Sequence, residues 1–391
     1  EKSLLIKQCM EYRTIDKYDG VSLVFSKLEF DSGPSEYNVV LTLSDREDNF
    51  VDQADRLLSA YNDFCSENLP FAIPVMERYF VSDIANQQPL LEKMIGVQAE
   101  NAVSIVEQPP LNGSKIALWA YLQTEIVNRN LYNGIFETNT GNSIHLRTAS
   151  EYETKGTSRT QTKELFLKYS ERLNELGLTL ADNCVRTWLF VQNIDNNYRG
   201  VVVARNDVFS MQGLTTDTHF IASTGIAGRT QVKSALVQLD TYAVAGVKPE
   251  QIGYLYASDY LNRTSDYGVS FERGTAVTYG DRKHVFISGT ASIDNKGEVV
   301  YQGDVVLQTH RMIKNVEALL AEAGCGFSDV AQIIVYLRDI ADYRVINRLF
   351  ASMFPQYPCI IVQAPVCRPG WLVEMECIAL KKEQNNNYNN Y

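Results

Sequence analysis

Apolar and polar positions alternate along GWLVEMECIAL (370–380), where Val373, Met375, Cys377 and Ala379 interleave with Glu374, Glu376, Ile378 and Leu380. A period of two is the pattern of a strand. SALVQLDTYAV (234–244) and SKIALWAYLQ (114–123) read the same way. Setting the three strands on one another puts Glu374 opposite Gln238 and Ala117. One of three similar strands therefore carries a carboxylate where the others carry an amide and a methyl group.

The strands close a larger repeat. QTKELFLKYSERLNELGLTLAD, from Gln161, aligns without a gap on QTHRMIKNVEALLAEAGCGFSD, from Gln308; both have helical spacing and both reach a glycine, Gly177 and Gly324, that suits a helix C-terminus. WLFVQNI (188–194) then matches IVYLRDI (334–340) as a strand, and YRGVVVARNDVF (198–209) matches YRVINRLFASMF (343–354) as a second helix. A fainter copy precedes these. VDQADRLLSAYNDFC (51–65) reads as its first helix, and RYFVSDIANQQPLLEKM (78–94) shares Asp83, Ile84 and Ala85 with Asp339, Ile340 and Ala341 of the last copy.

Each copy predicts a β-β-α-β-α-β unit, a sheet with two helices on one face. The other face must be buried, and three units in one chain can bury those faces against one another. The expected architecture is α+β, with tandem units arranged as an intrachain pseudo-trimer. Its boundaries are a divergent N-terminal unit over 1–126, a middle unit over 127–246, a linker over 247–265 and a C-terminal unit over 266–381. The Asn- and Tyr-rich residues 382–391 read as a disordered tail.

Composition narrows the function. The net charge is −11, from 36 basic and 47 acidic residues, which does not favour the basic surface that nucleic acid needs. The sequence has no apolar run long enough for a transmembrane helix, and its first ten residues are too short and too charged for a signal peptide. Seven cysteines without a CxxC pair read as free thiols of a reducing, cytoplasmic compartment. The four histidines are scattered, and neither a glycine-rich phosphate loop nor a GxSxG stands in the sequence. The chemistry is expected to need no metal and no organic cofactor.

RKHVFISGTASID, the QT…NVEALLAEAG helix, IVYLRDIADYRVIN and VEMECIA, spanning about 271–380, closely resemble the Rid/YjgF (endoribonuclease L-PSP-like) family. That family forms trimers with sites in the clefts between subunits, and many members hydrolyse enamines and imines. Its key arginine falls in the strand PCIIVQAPV (358–366), where this chain has Ile360. From Trp119 onward the chain is also similar to the chorismatases, Rid-like fused chains that cleave chorismate to pyruvate and a cyclohexadiene diol or a hydroxybenzoate. WAYLQTEI (119–126), HLRT (145–148), RTW…NNYRGVVVAR (186–205), ASTGIAGR (222–229) and VEMECIA (373–379) carry that resemblance. It implies functional positions at Tyr121, Arg147, Tyr198, Arg205 and Glu374, with Gly225 facing the ring. Cys367, seven residues before the glutamate, is the position of the branch that makes 3-hydroxybenzoate.

Chorismate is a small dicarboxylate, and guanidinium groups bind carboxylates through paired hydrogen bonds. Cleaving its vinyl ether needs a proton on the terminal methylene carbon, hence an acid still protonated at neutral pH, as a desolvated glutamic acid is. Glu374 is the expected acid, and Arg147, Arg205 and Glu374 are expected to converge between the second and third units. Glu376 is expected to be a support or surface residue. A Rid-type enamine/imine deaminase and a non-catalytic metabolite-binding protein are the competing classes. The expected partner is the small-molecule substrate, with no nucleic acid and no membrane, and the expected assembly is a monomer or small homo-oligomer.

Overall fold

The structure is a computed structural model that describes residues 10–44, 47–96 and 100–391. Cys9 and most of the N-terminal stretch weighed as a signal peptide lie outside the described residues. The first unit runs β1 (Glu11–Ile15), β2 (Val21–Leu28), β3 (Glu36–Leu43), α1 (Phe50–Asn68), β4 (Ile73–Val81), α2 (Ile84–Ile95), β5 (Ala102–Glu107) and β6 (Ile116–Gln123). The second runs β7 (Val127–Asn130), β8 (Phe136–Asn139), β9 (Ile144–Tyr152), α3 (Ser158–Glu175), the single turn α4 (Leu180–Asn183), β10 (Cys184–Val191), α5 (Ile194–Met211), β11 (Ala222–Ala227) and β12 (Val237–Ala245). The third runs β13 (Ile252–Leu255), β14 (Gly274–Thr278), β15 (Arg282–Ala291), α6 (Val305–Glu322), β16 (Val330–Leu337), α7 (Tyr343–Met353), β17 (Cys359–Gln363) and β18 (Val373–Lys382).

The three sheets have one topology, β1-β2-β3-β6-β4-β5, β13-β14-β15-β18-β16-β17 and, with its ends reversed, β11-β10-β12-β9-β8-β7. Among the described residues each holds six strands where the repeat pattern predicts four. The additions are an edge strand ahead of the first pair and a strand between the second helix and the closing strand. In every unit the last strand is antiparallel to both its neighbours, whereas the strand after the second helix pairs in parallel. Helices cover one face of each sheet, and the opposite faces meet in a common core with Met76 and Trp119 of the first unit, Trp188 and Phe190 of the second, and Phe286 and Ile378 of the third.

Register confirms the alignment of the closing strands. Ala117 pairs with Phe80, Gln238 with Phe190 and Glu374 with Tyr336, an aromatic residue each time. Near the pseudo-axis, charges are paired across units: Arg78 with Asp240 at 2.9 Å and Arg186 with Glu376 at 2.8 Å.

Two boundary expectations fail. The linker 247–265 contributes β13, which pairs with β14 and completes the third sheet. The tail 382–391 is packed: β18 runs on to Lys382, and Tyr391 is buried at 2% exposure. The Asn385 N–H donates to the Gly280 carbonyl and the Gly280 N–H donates to the Asn389 carbonyl, each at 2.7 Å, and these bonds hold it down. Low complexity describes composition, and the tail finds its partners on the turn between β14 and β15 of its own unit and, through Tyr391, on Gln123 of the first unit and His145 of the second. Among the described residues no helix is long and apolar enough to cross a membrane.

Candidate active site

A cavity of about 370 Å³ lies between the second and third units. Helix α5 supplies one wall. Tyr198 and Arg205 are seven residues apart, two turns, so both project from the same face; β11 adds Gly225. The third unit supplies Glu374 from β18, Gly289 from β15, Cys367, and Arg273 just ahead of β14. The two units are joined by a bridge between Ala222 and Glu272 and another between Ile226 and Val366.

Glu374 is buried at 4% exposure. Burial pushes its carboxyl up to about 8, the neighbouring Glu376 charge pushes the same way, and Arg186 and Arg273 only partly oppose them. The group is therefore mostly protonated at neutral pH. Gly289 makes room for it, since a Cβ there would stand 2.2 Å from Glu374 Oε1. Glu376, two residues on and on the same strand face, is a buried support and not a surface residue. Its carboxylate accepts hydrogen bonds from Arg186 and from the Trp188 indole, both at 2.8 Å, and from the Thr224 hydroxyl.

Opposite the acid, Arg205 is 1% exposed, with its guanidinium 5.6 Å from the Phe271 ring. Its Nε and Nη2 have no hydrogen-bond partner among the described residues. A buried guanidinium in that state favours an anionic guest, because an unpaired charge in a desolvated site is costly. Arg273 is tied in place by the Asn262 carbonyl and side-chain oxygens at 3.1–3.3 Å. At the floor, a Cβ on Gly225 would sit 2.9 Å from the Tyr198 ring, so glycine there lets that ring approach β11 closely. Burial pushes the Cys367 thiol up to about 12, with Glu374 adding to it, while a hydrogen bond with Tyr198 opposes the shift. Cys367 is thus a neutral thiol beside the acid.

Five of the seven sequence-derived positions meet here: Glu374, Cys367, Arg205, Tyr198 and Gly225. Arg147 and Tyr121 do not. Arg147 lies on β9, three strands from β11 in its sheet, or about 14 Å at the usual strand spacing. It packs instead over Tyr242 at 4.6 Å and over Tyr121 of the first unit at 5.6 Å. Tyr121 hydrogen-bonds Glu36. The expected three-way convergence of Arg147, Arg205 and Glu374 is corrected to Arg205, Arg273 and Glu374. Arg273 and Arg186 escaped sequence reasoning because nothing in the local pattern separates either from a surface arginine.

The other two clefts lack this chemistry. Between the third and first units a cavity of about 160 Å³ is lined by α7 and β17. There Phe350 stands at the helix position of Arg205 and Ile361 at the strand position of Gly225, with Ala117 in place of Glu374. Between the first and second units Gln238 is buried against Ser104 and Ser150, at 3.4 and 3.5 Å. Among the described residues, one cleft of three keeps a buried acid facing an unpaired arginine.

Comparison with known proteins bears on the third unit and on the whole fold separately. Residues 274–381 match the family model described as Endoribonuclease L-PSP. A RutC family protein of Pyrococcus abyssi is 35% identical over 100 residues, 25% of this chain and 79% of that protein. The 3-aminoacrylate deaminase RutC of Acinetobacter baylyi is 34% identical over 97 residues, 24% of this chain and 77% of that protein. Over the larger span, a crystal structure of a chorismatase superposes with a TM-score of 0.62 at 18% identity, covering 78% of this chain and 92% of that one. By its third unit the chain belongs to the endoribonuclease L-PSP (Rid/YjgF) family, and its three units together build a chorismatase-like fold.

Proposed function

We propose that the cleft between the second and third units cleaves the enolpyruvyl ether of chorismate, with Glu374 as general acid and without a cofactor. The observation that carries this reading is a buried carboxyl whose pKa is raised to about 8, across one cavity from a buried arginine with unpaired nitrogens. A vinyl ether reacts by taking a proton on its methylene carbon. Glu374 delivers that proton, and the carbon bearing the ether oxygen becomes an oxocarbenium centre. Water adds to that centre and returns a proton to the Glu374 carboxylate. The hemiketal collapses, breaking the bond from this carbon to the ether oxygen, and leaves pyruvate and the ring alcohol.

Arg205 holds one substrate carboxylate by its free Nε and Nη2 edge, and Arg273 faces the other. Tyr198 and Gly225 form the flat surface against the ring. A neutral Cys367 thiol, between Tyr198 and Glu374, favours attack by the neighbouring ring hydroxyl on the oxocarbenium carbon in place of water; that hydroxyl gives up its proton, its oxygen's bond to the ring then breaks, the ring loses a proton and aromatises, and collapse of the remaining hemiketal releases pyruvate and 3-hydroxybenzoate. The thiol acts there as a weak donor and a bulky neighbour, not as a nucleophile.

The test is incubation of the purified protein with chorismate, with pyruvate and aromatic products assayed, beside 2-aminoacrylate as an enamine substrate. Pyruvate from chorismate that disappears in Glu374→Gln supports the proposal. Absence of pyruvate release by the unaltered protein, or turnover of the enamine alone, overturns it.

A further inference from the structure

Away from the cleft, buried charge and aromatic rings gather at one end of the pseudo-axis. Strand register shows why. Six residues beyond Ala117, Gln238 and Glu374 stand Gln123, Val244 and Leu380, and their antiparallel partners are Glu36, His145 and His284. These three are pseudo-equivalent, so the threefold arrangement brings them to one layer. Glu36 accepts hydrogen bonds from Arg282 at 2.8 Å and His284 at 2.9 Å. Burial opposes its charge, but His284 and Arg282 outweigh burial and hold the carboxyl well below the usual range.

Tyr391 is seated on this layer. Its ring centroid lies 4.6 Å from that of His145, 4.7 Å from that of His284 and 4.9 Å from that of Tyr279. The Arg282 guanidinium stands 4.5 Å from the ring, and the phenol oxygen accepts a hydrogen bond from Gln123 Nε2 at 2.5 Å. The surface along the tail is shaped to receive it. A Cβ on Gly280 would meet both Asn390 Oδ1 and the Tyr388 carbonyl at 2.6 Å, and the Tyr391 N–H donates to Asp281 at 2.9 Å.

Two groups in the layer remain unsatisfied by the tail. Arg147 is 5% exposed, yet among the described residues its hydrogen bonding amounts to one long contact, 3.4 Å to Thr138, with no carboxylate in ion-pair range. The Gln123 Oε1 atom has no hydrogen-bond partner among the described residues. Arg147, Tyr121, Tyr242 and His284 also border a small cavity of about 20 Å³ that reaches Trp119 and Trp188.

We propose that this axial layer is a second binding site, for a phenol bearing an anionic substituent, and that Tyr391 of the chain's own tail fills it. The rings of His145 and His284, the Arg282 guanidinium and the Gln123 amide recognise the phenol. The anionic group satisfies Arg147, which the tail leaves without a counter-charge. A tethered phenol competes at an effective concentration in the millimolar range, so a free ligand enters when the tail is displaced.

The test uses 4-hydroxyphenylacetate, and p-cresol as the same phenol without the carboxylate. Binding is followed by calorimetry and by the fluorescence of Trp119 and Trp188. Every protein carries Arg205→Ala, to disable the interunit cleft. Tyr391→Ala is expected to bind 4-hydroxyphenylacetate at least about tenfold more tightly than the protein with its tail in place. Gly280→Ala, which pushes the tail away without altering the layer, is expected to do the same and serves where Tyr391→Ala fails to fold. The preference over p-cresol should vanish when Arg147→Gln is added. No gain of binding in a cooperatively folded Gly280→Ala protein overturns the proposal. Equal affinity for the two phenols overturns the role of Arg147 and, with it, the anionic ligand class.

Discussion

The Glu374 carboxyl occupies the space that a side chain on Gly289 would need: a Cβ there would stand 2.2 Å from Oε1 and 3.0 Å from Thr224 Cγ2. The two residues lie on adjacent strands of the third sheet, and the missing side chain on one lets the acid on the other fold into the cleft. Gly289→Ala is therefore expected to displace the acid while leaving the units assembled. Pyruvate release from chorismate should fall by at least about tenfold, because a misplaced proton donor loses its alignment with the methylene carbon. Melting temperature measured alongside should change little by comparison.

The raised pKa of Glu374 sets a pH dependence. In the proposed reaction the acid form is the active one, so turnover should decline as pH rises through about 8. Stability follows the same sign. Between the ordinary carboxylate range and about 8 the folded state binds a proton that the unfolded state has released, so stability falls as pH rises across that window. Glu374→Gln removes this dependence. Its melting temperature should equal or exceed that of the unaltered protein near pH 8, with the gap closing toward pH 5. The same variant should retain substrate binding and lose about 10²–10⁴-fold in kcat.

Arg205 is expected to act on binding. Removing it leaves a substrate carboxylate unpaired in a desolvated cleft, at about 1–3 kcal/mol or more. Arg205→Ala should raise KM for chorismate by at least about tenfold, and Arg205→Lys should recover only part of the loss, because an ammonium cannot reproduce the planar fork. Steady-state kinetics on both variants decide this. A KM unchanged in Arg205→Ala would remove Arg205 from the site.

Glu376 is expected to be a support with a measurable double effect. Glu376→Gln leaves Arg186 without its counter-charge, and breaking a buried pair in this way costs about 3–5 kcal/mol, to be read by denaturant unfolding. It also removes a negative neighbour of Glu374, so the descending limb of the activity profile should move to lower pH. A purely structural role predicts the first effect without the second.

Cys367 is expected to govern product identity. Cys367→Ala should shift product from 3-hydroxybenzoate toward the non-aromatic diol while pyruvate release continues, as measured by chromatography of the aromatic fraction. An unchanged product ratio would reduce Cys367 to a packing residue.

Much of this protein is legible in its sequence because strand alternation and helical spacing are local. The period-two pattern aligned Ala117, Gln238 and Glu374, and the register of three separate sheets repeats that alignment. Tyr198 and Arg205 share a face because they are two helical turns apart, a property of α5 alone. The spacing within an element says which side chains share a face, but not which unit that face will meet. Arg147 reads as well as Arg205 in the sequence, yet sheet order sets β9 three strands from the cleft and turns Arg147 toward the first unit. Arg273 joins the site only because the chain ahead of β14 crosses to the second unit at the Ala222–Glu272 bridge. The tail carries no periodicity, and its order comes from contacts with Gly280, Asp281 and the axial layer more than 100 residues away. Local pattern determined the units and the acid; the packing of three units around one axis decided which arginines face that acid and what Tyr391 covers.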